Sequence, residues 1–361
     1  MKQWLRGASG CAAAILAALG VFCVAVRLPA GTGQNTAAAA AGFILPAGNA
    51  ADFFSEDEVD DTVSSRTSSA VSSQPGNVSV PQGSSSAPQS SSVSQAPAAS
   101  SAPPASAQSG KIMELSVGNS GTQVGNIWVK NSTDHHTSIN LGQELQKTPA
   151  VKIIRNSASP QVLIYHTHTT ESYDCSARST DPAKSVCAVG DRIAEQLQAA
   201  GIGVAHDKTC HDYPAYDGSY DRSFATMQKN LKKYPGIQVT LDIHRDSMHR
   251  SDGTMLKTTA VVGGKKAAQI MILAGCDDDG TLHFPNWECN LRLALRLQKA
   301  LAEDAPGLTR PLDFCARRYN EHVTKGSLLI EVGTDANTLE EAEYSGSLLG
   351  KSLARVLNGL T

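Results

Sequence analysis

Aromatic side chains are scarce, with Phe, Trp and Tyr making up only 5% of the 361 residues. Any core must therefore rest on Ile, Leu, Val and Ala. Net charge is also small. A formal value of −3 gives no electrostatic case for nucleic acid as a partner. Cysteine is present eight times, but no pair has the close spacing of a structural zinc knuckle. Cys11 and Cys23 fall in an N-terminal apolar stretch. The other six, Cys175, Cys187, Cys210, Cys276, Cys289 and Cys315, permit disulfides if they lie outside the cytoplasm. A domain of this size needs no such staples, and buried thiols are the other reading. There is no internal repeat.

Long apolar runs are also few, and the first is at the N-terminus. Lys2 and Arg6 precede the stretch Gly7 to Val26, which Arg27 closes. That length fits one membrane-spanning helix of ~20 apolar residues. The positive flank favours a cytoplasmic tip and an exported body. A cleaved signal peptide, cut near Leu28-Pro29-Ala30-Gly31, is the alternative. The patch Ala37 to Ala47 is too short to span. From about Phe53 to Ser109 the chain is first acidic, then rich in Ser, Pro, Ala and Gln. Such a segment cannot bury enough surface to offset its ordering entropy. About 55 residues of flexible coil span roughly 40 Å, the reach of a tether. The expected organisation is a cytoplasmic tip and transmembrane anchor over 1–30, a disordered linker over 31–110, and a catalytic domain over 111–361. The protein is thus expected in the cell membrane, single-pass, with its catalytic domain outside the cytoplasm.

The remainder reads as an alternation of strands and helices. Strands are expected at Val151–Ile154, Val162–Tyr165, Ile202–Ala205, Ile237–Ile243, Thr258–Val262, Ile270–Leu273 and Ser327–Val332. Helical spacing covers Ala188–Ala200, Tyr220–Lys233, Trp287–Leu301 and Thr338–Leu357. Residues 111–155 read as a small lead-in of short strands. This pattern predicts an α/β fold with a mostly parallel central sheet covered by helices on both faces.

Three strand ends carry candidate chemistry. The first is His166-Thr167-His168-Thr169-Thr170-Glu171, after the apolar run Val162 to Tyr165. Two imidazoles and a carboxylate are a ligand set that zinc prefers. In extended chain His166 and His168 point to one side. They could both face one site, or one could orient the other from behind. The second is Asp242-Ile243-His244-Arg245-Asp246. His244 is the natural third ligand, and Asp242 or Asp246 could hold its other ring nitrogen. Arg245 is a possible bidentate donor to a substrate carboxylate, or is simply solvated. The third is Glu331, which follows the apolar Leu328-Leu329-Ile330. A carboxylate buried there is costly unless it has a partner. Beside a metal it would serve as a general base. The histidines His135, His136, His206, His211, His249, His283 and His322 read as surface or structural.

Together the segments His166-Thr-His168-Thr-Thr-Glu171-Ser, Asp242-Ile-His244-Arg-Asp246-Ser, Tyr319-Asn320, Gly326-Ser-Leu-Leu-Ile-Glu331-Val-Gly and Asn337-Thr-Leu-Glu-Glu341-Ala resemble the stage II sporulation protein P family. Its members are membrane-anchored cell-wall hydrolases of endospore formers, related to zinc-dependent N-acetylmuramoyl-L-alanine amidases. The resemblance covers roughly Ile127 to the C-terminus. It implies a zinc amidase-like three-layer sandwich, with His168, Glu171 and His244 on Zn2+ and Glu331 as the catalytic glutamate. It implies peptidoglycan as substrate, with some endopeptidase activity on cross-links, in engulfment during endospore formation. It further implies stage II sporulation proteins D and M as partners. A zinc carboxypeptidase that trims stem peptides would use the same ligands. An inactive wall-binding scaffold would need neither the ligands nor Glu331.

Overall fold

The computed structural model describes residues 111–134 and 138–361. The expected anchor and linker lie outside these residues, as do His135 and His136. Among the described residues no helix is long and apolar enough to cross a membrane. Apart from His249–Ser251, the described residues belong to one compact unit.

In chain order the elements are β1 (Ile112–Leu115), β2 (Thr122–Val124), β3 (Ile127–Ser132), α1 (Leu141–Gln146), β4 (Val162–Tyr165), α2 (Val186–Ala199), β5 (Val204–His206), α3 (Ser219–Lys233), β6 (Val239–Asp246), β7 (Met255–Val262), β8 (Lys265–Ala268), β9 (Ile270–Gly275), α4 (Trp287–Asp304), β10 (Leu312–Cys315), β11 (Ser327–Thr334) and α5 (Leu339–Asn358). Eight strands form the main sheet in the order β2-β3-β10-β9-β11-β6-β4-β5, and β1-β7-β8 form a smaller one.

The sheet is mixed, which corrects the expectation of a mostly parallel one. The run β11-β6-β4-β5 is parallel. However, β9 meets β11 antiparallel, and β2 meets β3 antiparallel. The reversal has a local cause. β7, β8 and β9 follow one another without a helix, so no crossover returns the chain in the parallel sense. Val151–Ile154 is not a strand. Val151 and Ile153 are buried, and Ile153 N–H donates to the Leu360 carbonyl at 3.2 Å. The segment is apolar because it packs at the domain's rim, not because it pairs in a sheet.

The two sheet faces differ in composition. Val162 and Ile164 of β4, Leu241 and Ile243 of β6, Ile270 and Ile272 of β9, and Ile330 and Val332 of β11 belong to one core cluster. The same cluster takes in Val189 and Ile193 of α2, Leu291 and Leu295 of α4, and Leu349 and Leu353 of α5. On the opposite face Leu163 and Tyr165 pack with Met227 of α3 in a small separate cluster. Three long helices therefore seal one face, and α3 covers part of the other. The terminal helix α5 opens with a reciprocal capping box between Thr338 and Glu341, which satisfies two otherwise unpaired N–H groups. The six described cysteines are all free.

Candidate active site

The site is built on the face that the long helices leave uncovered. In the parallel pair β6–β11, Leu329 registers with Asp242 and Glu331 with His244. Registered residues on neighbouring strands project to the same side. Asp242, His244 and Glu331 therefore share a face, opposite to the buried Ile243, Ile330 and Val332. The register shifts immediately after Glu331. Gly333 sits there with φ of 72°, and a Cβ would come within 2.8 Å of both Ala268 Cβ and Asn337 Oδ1. This is where a bulge needs glycine, and it ends the regular strand beside the site.

The loop after β4 is pinned onto β6. Thr167 N–H donates to Asp242 Oδ1 at 2.8 Å and its hydroxyl to Oδ2 at 2.6 Å. These bonds fix the loop that carries both candidate histidines, and they hold Asp242 ionised. Burial opposes that charge, but His244 and the Thr167 bonds outweigh it and lower the carboxyl.

The structure separates the two histidines. His166 is fully buried and both its ring nitrogens are engaged. Nδ1 donates to the Ile243 carbonyl at 2.8 Å, and Nε2 is 2.9 Å from His206 Nε2. Burial first, and then His206, lowers its pKa to about 3, so it stays neutral. A Cβ on Gly190 would come within 2.6 Å of His206 and 3.0 Å of His166, so only glycine lets α2 approach this pair. His211 braces the loop through Nδ1 to the His166 carbonyl at 2.7 Å.

His168 turns the other way. Its ring lies 5.2 Å from that of His244. Its Nδ1 is buried without a hydrogen-bond partner, while Nε2 is 3.2 Å from Tyr216 Oη. Tyr216 also stacks on the ring at 4.4 Å and 10°. His244 places Nδ1 3.3 Å from Glu171 Oε2 and Nε2 3.0 Å from Asp242 Oδ1. The latter contact lacks hydrogen-bond alignment. Burial opposes a charge on His244, but Asp242 and Glu171 outweigh it and push the pKa well above the usual range. For Glu171, burial is again outweighed, chiefly by His244, and the carboxyl falls to about 2. The backbone N–H of Arg245 also donates to Glu171 Oε2 at 3.1 Å.

Among the described residues no group of three or more His, Cys, Asp or Glu side chains stands in a ready-made metal-binding arrangement. Glu171 and His244 are instead paired with each other. The donors nevertheless fit a divalent cation. Nε2 of His168 lies against Tyr216 and Nε2 of His244 against Asp242. Nδ1 of His168 is unpartnered and that of His244 faces Glu171. Carboxylate-backed imidazole is the usual support for a ligating histidine. The site also already stabilises one positive charge, on His244. A cation would replace that proton, because ligands bind deprotonated.

Glu331 is partly exposed, with Oε2 buried and unpartnered. Burial first raises its carboxyl to about 8, against the opposing influence of His244 and Arg310 and with the help of Asp246 and Glu171. Arg310 pairs with Asp246 Oδ2 at 2.7 Å and also contacts Met271 Sδ, on the strands that flank Glu331.

Arg245, expected as a substrate donor or a solvated side chain, is neither. It is buried, and its guanidinium donates to the carbonyls of Ser172 at 3.1 Å, Ala177 at 2.8 Å and Asp246 at 3.4 Å. Strand alternation sends it to the face opposite His244, where it ties down the loop. Sequence reading missed Tyr216, Arg178 and Arg310. The first two lie in irregular loops and the third just before a short strand, where no period marks a side chain's direction.

Comparison with known proteins adds the family. The model of Stage II sporulation protein P (SpoIIP) matches residues 68–357, and the chain belongs to that family. The match begins inside the segment read as a linker. Stage II sporulation protein P of Bacillus subtilis (strain 168) is 33% identical over 206 residues, covering 52% of this chain and 48% of that one. The match thus spans about half the length of the curated relative. Among solved structures, N-acetylmuramoyl-L-alanine amidase AmiC2 of Nostoc punctiforme is 12% identical, covering 56% of this chain and 97% of that one, with a TM-score of 0.33. The N-acetylmuramoyl-L-alanine amidase from Clostridium difficile 630 is 16% identical with the same coverage and TM-score.

Proposed function

We propose that the chain is a zinc-dependent peptidoglycan hydrolase that cuts the N-acetylmuramoyl–L-alanine amide and acts in engulfment during endospore formation. Membership of the family supports the broad role. The observation that carries the chemistry is the register of Glu331 beside His244, on the same face as His168 and Glu171.

In this reading His168, Glu171 and His244 hold Zn2+, which when bound supplies Lewis acidity toward water and the scissile carbonyl. Tyr216 and Asp242 orient the two imidazoles. Glu331 takes the proton of the attacking water and hands it to the departing amine, acting first as a base and then as an acid. His166 braces the ligand loop. The N-terminal segment anchors the chain in the cell membrane with this domain outside, and stage II sporulation proteins D and M are its partners there.

The test is to incubate the chain with purified sacculi, with and without a chelator, and identify new chain ends by mass spectrometry. Lactyl carboxyl ends and peptides beginning with L-alanine are expected, and the chelator abolishes them. Release of single amino acids from stem peptides would instead make the chain a carboxypeptidase. Wall binding with no new ends at all would make it a scaffold.

A further inference from the structure

An accessible cation, Arg178, lies beside the candidate centre, and it is held in place on two sides. Arg178 is exposed and sits on the loop after Glu171. Its guanidinium carbon is 4.3 Å from the centroid of the Tyr216 ring, the ring on which His168 stacks. The cation is thus within two ring-stacking spacings of His168. Its Nη1 is tied down by the Asp212 carbonyl at 3.3 Å and the Asp212 carboxylate at 3.5 Å. Asp212 is itself buried and fixed by Thr170, whose hydroxyl donates to it at 2.7 Å.

A guanidinium stacked on a ring and held along one edge has lost its rotamer entropy before any ligand arrives. Its remaining edge presents donors in the planar fork that matches a carboxylate. Arg245 has no such edge, because its donors are spent on backbone carbonyls. Arg310 is buried and faces Asp246. Arg178 therefore differs from both in being rigid and solvent-facing at once.

We infer that Arg178, backed by Tyr216, is the anchor for a free carboxylate of the substrate's peptide. It would seat the stem peptide so that the amide to be cut lies over His168 and Glu331. This assignment rests on the hydrolase reading for the nature of the ligand, but its test does not require turnover. The ligand is a muramoyl peptide with free carboxylates, compared with the same peptide with those carboxylates amidated. Affinities are measured by calorimetry on the full chain carrying Glu331→Gln, alone and combined with Arg178→Gln or Arg178→Lys.

Hydrogen bonds to charged groups contribute enough for roughly a ten- to hundredfold change in affinity. Amidating the peptide should weaken binding by that factor. Arg178→Gln should weaken the free-carboxylate peptide to the same extent and leave the amidated one unchanged. Arg178→Lys should restore part of the loss. Equal affinity of Arg178→Gln and its parent for the carboxylate peptide would overturn the assignment. So would equal weakening toward both peptides, which would mark a merely structural residue. If sacculi are never cut while the carboxylate discrimination persists, the hydrolase reading falls and the anchor stands.

Discussion

The two faces of the central sheet are made from alternate residues of the same strands, yet they do different things. On β11, Ile330 is fully buried against the helices, while its neighbour Glu331 stands partly exposed beside His244. On β6, Ile243 is sealed in the core while Asp242 and His244 form the polar row. One face supplies hydrophobic stabilisation, and the charge it carries on β6, Arg245 at the strand's end, is spent on backbone carbonyls. The other concentrates ionisable groups that shift one another's protonation, the carboxylates favouring the proton on His244 and His244 opposing those on the carboxylates. A period of two is all that separates them, so a one-residue slip would exchange core for chemistry.

The sharpest way to break this contrast is to change one residue on each side of the same strand. Glu331→Gln should lower the rate of wall hydrolysis by about 10²–10⁴-fold, the usual contribution of a positioned acid–base group. Circular dichroism and denaturant unfolding should show an intact fold. A variant that lysed sacculi at the parent's rate would remove Glu331 from the chemistry. Next door, Ile330→Ala should cost about 2–5 kcal/mol of stability through a cavity in a packed core, read from the shift in urea midpoint. A shift near zero would mean that the sealed face is not packed as described.

The carboxyl of Glu331 also predicts a pH signature in the metal-free chain. Its folded value is raised to about 8 from an ordinary 4.5. Between those values the folded chain holds the proton and the unfolded chain has released it. Folding thus takes up a proton, and stability is lost as pH rises through that window. Glu331→Gln should flatten this part of the profile. Parallel stability curves for parent and variant from pH 5 to 8 would contradict the raised value.

The smallest effect is expected from Tyr216→Phe. It keeps the stacked ring but removes the hydroxyl 3.2 Å from His168 Nε2. Loss of a group that orients a metal ligand typically costs 10–100-fold in metal affinity, and a neutral hydroxyl belongs at the low end. Zinc competition against a fluorescent chelator would read it. Unchanged affinity would show that stacking alone positions His168.

Much of this was legible in the chain itself. The apolar runs ending at Tyr165, Ile243 and Ile330 marked buried strands with a polar residue at the tip. The structure sets His168 beside His244, His244 beside Glu171, and Glu331 in register with His244. Choosing between His166 and His168 was not possible from alternation alone. The choice depends on long-range partners, the Ile243 carbonyl and His206 for one and Tyr216 for the other. Arg245 was misjudged for a related reason. Its position in a strand was clear, but its three carbonyl acceptors lie mostly in a distant loop. The antiparallel placement of β9 was hidden because β7, β8 and β9 are joined by turns whose pairing partners are non-local. Val151–Ile154 has a strand's composition without a strand's neighbours.

The most direct test of the central claim is the zinc stoichiometry and coordination of the full chain, measured by elemental analysis and X-ray absorption. The comparison set is the parent, His168→Ala, His244→Ala and His166→Asn. The expected result is one zinc per chain on two imidazoles and a carboxylate, lost in the first two variants and kept in the third. Zinc retained by His168→Ala and lost in His166→Asn, or no zinc bound by the parent at all, would contradict it.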